Sequence, residues 1–208
     1  MRSALAALAA AALLAGCVSL SLGNADTPAL TYFVLADARA AADSAAPQAT
    51  APRLAIQGTS ADPLADSISI VFSRRPGERS LYQFASWSER PSRRLAQLAQ
   101  QRLQAGGRFA SVTQLGQPVA SDLLLTLALE TMVHDVSSAP GRARITLHAE
   151  LIDRRDRSLV ASRSFSAAQP VDESAAAAAV AAFGVATADV LDALTRWVEA
   201  TAAAQPAR

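Results

Sequence analysis

The sequence predicts an α+β fold, a single domain built on a mostly antiparallel β-sheet with two main helices packed on one face. Three observations predict it. Short runs in which apolar and polar residues alternate recur between residues 31 and 168, the pattern of a sheet with one packed and one wet face. Leu95, Leu98, Ala99 and Leu103 recur at three- and four-residue steps, which is helical spacing. Near the C-terminus Val180, Phe183, Val190, Leu191, Leu194, Trp197 and Val198 share a single helical stripe.

The first strand is expected at residues 31–35. Residues 36–52 are mostly Ala, Asp, Ser and Pro, have little to bury, and read as a loop or flexible segment. Strands follow at 53–58, around Leu54 and Ile56, and at 67–72, around Ile68 and Ile70, with Asp62 and Pro63 as the turn between them. Residues 74–79 contain Pro76 and Gly77 and read as a hairpin turn into a strand at 81–87. These strands are expected to form an antiparallel meander.

A helix is expected over 91–105, where Arg93, Arg94, Gln97, Gln100 and Gln101 fall between the apolar positions. Pro91 suits its first turn, where the missing N–H costs nothing, and Gly106 with Gly107 closes its far end. Four more strands are expected at 109–115, 122–136, 142–153 and 159–168. In the third of these, Ile145, Leu147, Ala149 and Leu151 face one way and Arg144, Thr146, His148 and Glu150 the other. Asp172 is expected to cap the final helix, whose alanine-rich first turns favour helix strongly.

The N-terminus sets the compartment. Arg2 precedes an apolar run at residues 4–14, too short to span a bilayer but suited to a signal peptide. Leu14-Ala15-Gly16-Cys17 then resembles the lipobox cut by the lipoprotein signal peptidase, so cleavage is expected before Cys17, whose sulfur would carry the lipid. Cys17 is the single cysteine, which excludes an internal disulfide and any cysteine-based metal cluster. Each buried methylene of an acyl chain adds roughly 0.8 kcal/mol of membrane affinity, so two or three palmitate-like chains would anchor the protein almost permanently. Residues 1–16 are thus expected to be removed, 17–29 to form a lipidated tether, 30–203 the domain and 204–208 a flexible tail. Val18 stands where an Asp would signal inner-membrane retention, so the expected location is the periplasmic face of the outer membrane.

Charge and motif content argue against an enzyme. The chain carries 19 basic and 18 acidic residues, with no lysine and no long basic block, so nucleic acid is not an expected partner. There is no Gly-x-Ser-x-Gly elbow and no phosphate-binding loop ending in Lys-Ser or Lys-Thr. The carboxylates Asp62, Asp66, Glu89, Asp122, Glu130, Asp153, Asp156 and Glu173 are scattered and show no tight pairing. His134 and His148 lie on expected strands beside Asp135 and Glu150; they make a poor zinc pair and read as solvent-facing strand residues. No cofactor or metal is expected. Trp87 and Trp197 read as residues that pack helix against sheet, with a partner surface or lipid-facing groove as the alternative.

Several spaced signatures together resemble a family, the ABC-type transport auxiliary lipoproteins of the PqiC-like group. They are Cys17 in its lipobox, the opening Tyr32 to Leu35, Leu54 to Ile56, Ile68 to Phe72, and Trp87-Ser88-Glu89-Arg90-Pro91 with Leu95 and Leu103. Phe109 and Val112, Leu147 to Asp153, Arg163-Ser164-Phe165 to Pro170-Val171, and Trp197-Val198 complete the set. The turn from Arg74 to Arg79 departs from it. The resemblance implies a periplasmic lipoprotein that serves an ABC permease and ATPase together with an MCE-domain subunit. Such systems move phospholipids or other hydrophobic molecules between the inner and outer membranes. A homo-oligomer is left open, and a stand-alone envelope assembly or structural lipoprotein that binds protein along the same sheet is the alternative.

Overall fold

Long-range pairing along a single strand organises the molecule. The computed structural model describes residues 28–39, 45–46 and 50–205. The expected signal peptide and Cys17 lie outside the described residues. Strands β1 (Thr31–Phe33), β2 (Arg53–Ser60), β3 (Ser69–Ser73) and β4 (Ser80–Trp87) precede helix α1 (Pro91–Ala105). Then come β5 (Ser111–Gln114), β6 (Leu123–Asp135), β7 (Gly141–Asp153), β8 (Ser158–Val171) and helix α2 (Ala176–Ala203). The α+β class and the single domain are as expected.

The sheet is mixed. β6, β7 and β8 form a long antiparallel meander, and β3 pairs antiparallel with β4. β2 runs parallel to both β5 and β6, β3 runs parallel to the end of β6, and β1 runs parallel to β4. The expected meander of the early strands is therefore corrected. β2 occupies the edge of β6 from Leu123 to Leu129, and β3 takes the same edge at His134 and Asp135, so β2 and β3 do not pair with each other. Alternation identifies a strand but not its partner, and 13 residues of β6 are long enough to serve two partners in succession.

Leu125, Leu127, Leu129 and Met132 of β6 stand opposite Leu151, Ala149, Leu147 and Ile145 of β7 on the buried side. Fully burying each of the larger chains is worth roughly 1.5–3 kcal/mol, so this ladder contributes strongly to core stability. Both helices cover that side. α1 packs on β2, β5 and β6, while α2 packs on β7 and β8. At Gly58 of β2 a Cβ would come within 2.4 Å of the Ser92 carbonyl oxygen, so glycine is what lets the first turn of α1 lie directly on the strand.

The helix ends differ. α1 begins at Pro91 as expected, and its Ser92 N–H donates to the Asp66 carboxylate at 2.8 Å, a cap supplied from the loop before β3. Gly107, at φ +65°, ends the helix in the left-handed region. The Asp172 cap is not formed. α2 starts at Ala176 after Ala175, with no side-chain cap, because its alanine-rich first turns and the packing of its later stripe suffice. α2 is long and apolar enough to cross a membrane, but half of its most apolar stretch is buried within the protein, so it is a core helix here.

Candidate functional site

The segment following β1 is fastened to both helices by charge. Arg102 of α1 donates to Asp37 through Nε at 2.5 Å and Nη2 at 2.6 Å, and it also pairs with Asp192 of α2. Arg39 joins Asp189 and Asp192, and Gln169 of β8 donates to Asp189 at 2.5 Å. The Asp37 side chain is 1% exposed and that of Arg102 10%. Burial alone would raise the Asp37 pKa. Hydrogen bonds from Arg102 and the Arg39 backbone, with both guanidinium charges, more than offset it and hold the carboxyl below its usual range. Leu35 is buried in the core, and its carbonyl accepts from Arg94 Nε at 2.9 Å. The chain is thus tied to both helices within a few residues of β1.

Beside this anchor point lies an exposed apolar strip. β1 is an edge strand in parallel register with β4, Thr31 opposite Ala85, Tyr32 opposite Ser86 and Phe33 opposite Trp87. Ala85 and Trp87 are buried, so alternation puts Leu30, Tyr32, Val34 and Phe84 on the other side of the sheet. There they are open to solvent, Tyr32 by 63% and Val34 by 56%. Adjacent large apolar side chains on one edge mark an interaction surface more often than isolated ones do.

The residues singled out from the sequence fall into three groups. Trp87 is buried and meets Phe183 of α2 edge-on at 5.8 Å, and the half-buried Trp197 meets Phe165 of β8 edge-on at 5.7 Å. Both therefore pack helix against sheet, and neither forms a groove. His148 is half-buried and shares a hydrogen bond with the Ser164 hydroxyl at 2.9 Å. His134, expected to face solvent, is instead fully buried. A bulge between Leu129 and Thr131 shifts the β6 register, so that Met132 and His134 replace the odd-numbered leucines on the core side. Its Nδ1 shares a 2.7 Å hydrogen bond with the Tyr82 hydroxyl, and Nε2 has no partner among the described residues. Desolvation lowers its pKa, against a smaller raising effect of Asp135, so burial favours the neutral imidazole.

Several of the carboxylates serve structure. Asp122 takes a two-pronged hydrogen bond from Arg53, at 3.0 and 2.9 Å, which ties the start of β2 to that of β6. Arg53 is the first cause of the strongly lowered Asp122 pKa. The clamp of Asp37, Arg39, Arg102, Asp189 and Asp192 was missed in the sequence. Its one local signal is the pair Asp189 and Asp192, three residues apart on a largely apolar helix. Among the described residues no group of three or more His, Cys, Asp or Glu side chains is placed to hold a metal.

A family model described as the ABC-type transport auxiliary lipoprotein component matches residues 33–195. The chain belongs to this family. The auxiliary lipoprotein family is not a known enzyme family, and membership brings association with the cell envelope and with an ABC transport system. This auxiliary lipoprotein is similar to protein XCC0632 from Xanthomonas campestris, of the DUF330 family, at 28% identity and a TM-score of 0.73. The match covers 82% of this chain and 95% of that one. The hypothetical protein CT253 from Chlamydia trachomatis shares the fold at 7% identity and a TM-score of 0.51, over 74% of this chain and 99% of the other. A further structure of an uncharacterized protein has 13% identity and a TM-score of 0.63, with 82% and 99% covered. No curated relative matches the chain.

Proposed function

We propose that this auxiliary lipoprotein is cut before Cys17, acylated there, and held at the periplasmic face of the outer membrane by a tether over residues 17–29. From that position it serves an MCE-type ABC system that moves phospholipids or other hydrophobic molecules between the two membranes. The observation that carries this reading is the adjacency of the tether's fixed end to the exposed strip of Leu30, Tyr32, Val34 and Phe84. A 13-residue stretch from 17 to 29 extends at most roughly 45 Å. The strip therefore stays near the bilayer, where the end of a periplasm-spanning MCE-domain subunit would arrive. Tethering raises the local concentration of the strip, so a modest apolar contact suffices for docking. The domain of residues 30–203 would then act as a catalytically silent adaptor.

Two measurements test the reading together. Mass spectrometry of the native product should show diacylglyceryl and further acyl groups on Cys17. A photo-cross-linking residue at Tyr32 should capture the MCE-domain subunit in cells, whereas one at Ser166 on β8 should not. An unmodified cysteine, or capture of a protein unrelated to ABC transport at Tyr32, would overturn it.

A further inference from the structure

The β3–β4 hairpin borders a half-open cavity of ≈ 370 Å³, within the size range of small-molecule sites. It lies at the end of the core, away from the tether clamp. Its lining includes Phe72, Leu81 and Tyr82 as apolar surface, with Arg74, Gln83 and Ser174 as polar groups. The Phe72 and Tyr82 rings meet at 4.9 Å, and the Arg74 guanidinium lies 4.6 Å from the centre of the Phe72 ring. That stacking holds a planar cation over an aromatic surface without neutralising it.

Among the described residues no acidic side chain lines the cavity. Asp135, close by on β6, is already satisfied by Ser137 and by Arg144 at 3.2 Å. Arg74 makes no ion pair among the described residues, and its charge is felt at the Tyr82 hydroxyl, where it opposes the rise caused by burial. Tyr82 is fixed from behind by its hydrogen bond to the buried His134. Leu81, at the same end, is exposed by 48%, a large apolar side chain that the fold leaves uncovered. A cation without a counter-charge, hydroxyl and amide donors, and an apolar wall together describe the complement of one kind of molecule.

We propose that this cavity binds an anionic amphiphile, its phosphate-type head on Arg74 and its alkyl portion against Phe72, Leu81 and Tyr82. The inference rests on this cavity and not on the acylation and docking reading above. The experiment separates an amphiphile from free phosphate.

The purified full chain, held in neutral dodecyl maltoside, is titrated calorimetrically with octyl phosphate, inorganic phosphate and octyl glucoside, each corrected for protein-free micelles. Octyl phosphate should bind saturably, and both other compounds at least about tenfold more weakly, since each lacks one half of the recognition. Arg74→Gln should weaken octyl phosphate about tenfold or more, whereas Arg79→Gln, which removes an equal charge from the same hairpin outside the cavity, should not. Leu81→Ser should weaken octyl phosphate without changing the response to inorganic phosphate. Equal binding of octyl glucoside, equal losses in the two arginine variants, equal binding of inorganic phosphate, or no saturable binding at all would each overturn the proposal.

Discussion

The imidazole of His134 rests against the backbone of Gly141, so closely that a Cβ on Gly141 would come within 2.8 Å of Nε2. Each residue is therefore the condition for the other. Glycine at 141 leaves the volume the ring fills, and the ring fills space that would otherwise be a void in the end of the core.

Gly141→Ala should destabilise the protein by about 1–3 kcal/mol, because the added methyl meets the ring and, at 3.1 Å, the Asp135 carbonyl oxygen. Adding His134→Ala should recover part of that loss, since the two changes share one volume. Denaturant unfolding of the two single variants and the double variant measures the coupling. Strict additivity would mean that the ring is not what excludes a side chain at 141.

His134 gives stability a pH dependence of known sign. Its folded pKa lies below the ordinary 6.5, so between the two values the unfolded chain binds a proton that the native chain does not. The native state is therefore favoured fully above about pH 6.5 and loses ground as pH falls, by at most about 1.4 kcal/mol per pH unit. Melting of wild type and His134→Phe between pH 7.5 and 5 should show the steeper decline in wild type. Parallel curves would remove His134 as the source.

The clamp should be sensitive to loss of one partner. Arg102→Met leaves the Asp37 carboxylate buried without its main donor and should cost on the order of 3 kcal/mol. Arg102→Met with Asp37→Leu should be less damaging than the single change, because no uncompensated charge is left behind. The native Asp37 has a lowered pKa, so its contribution holds above its unfolded value near 3.8 and fades as pH drops below it. Equilibrium unfolding at pH 7 and pH 3 checks both statements.

Tyr32→Ser with Phe84→Ser should leave stability within about 0.5 kcal/mol of wild type, since both side chains are exposed. Recovery of the transport partner by affinity purification should fall strongly in the same variant. A stable variant with undiminished recovery would show that the strip is not the docking surface.

Much of the fold was legible in the residues. Helix α1 runs from Pro91 to Ala105 as its spacing predicts, because an amphipathic period with proline at its start and glycines past its end is a local property. The β7 alternation from Ile145 to Leu151 was likewise correct, since burial repeats every second residue. The Asp172 cap failed because alanine propensity and packing start α2 four residues later. The two tryptophans were rightly assigned to packing, while the clamp stayed hidden because Asp37 and Arg102 are 65 residues apart and meet only in the folded chain.

The sequence by itself determined which segments are strands and helices, which of their faces turn inward, and the family to which the pattern belongs, because each depends on periodicity and composition along the chain. Only the tertiary structure decided that β6 carries both β2 and β3, that a bulge turns His134 into the core, and that Arg74 stands over Phe72 without a counter-charge. Those outcomes depend on register and on contacts between distant segments, which no local spacing encodes.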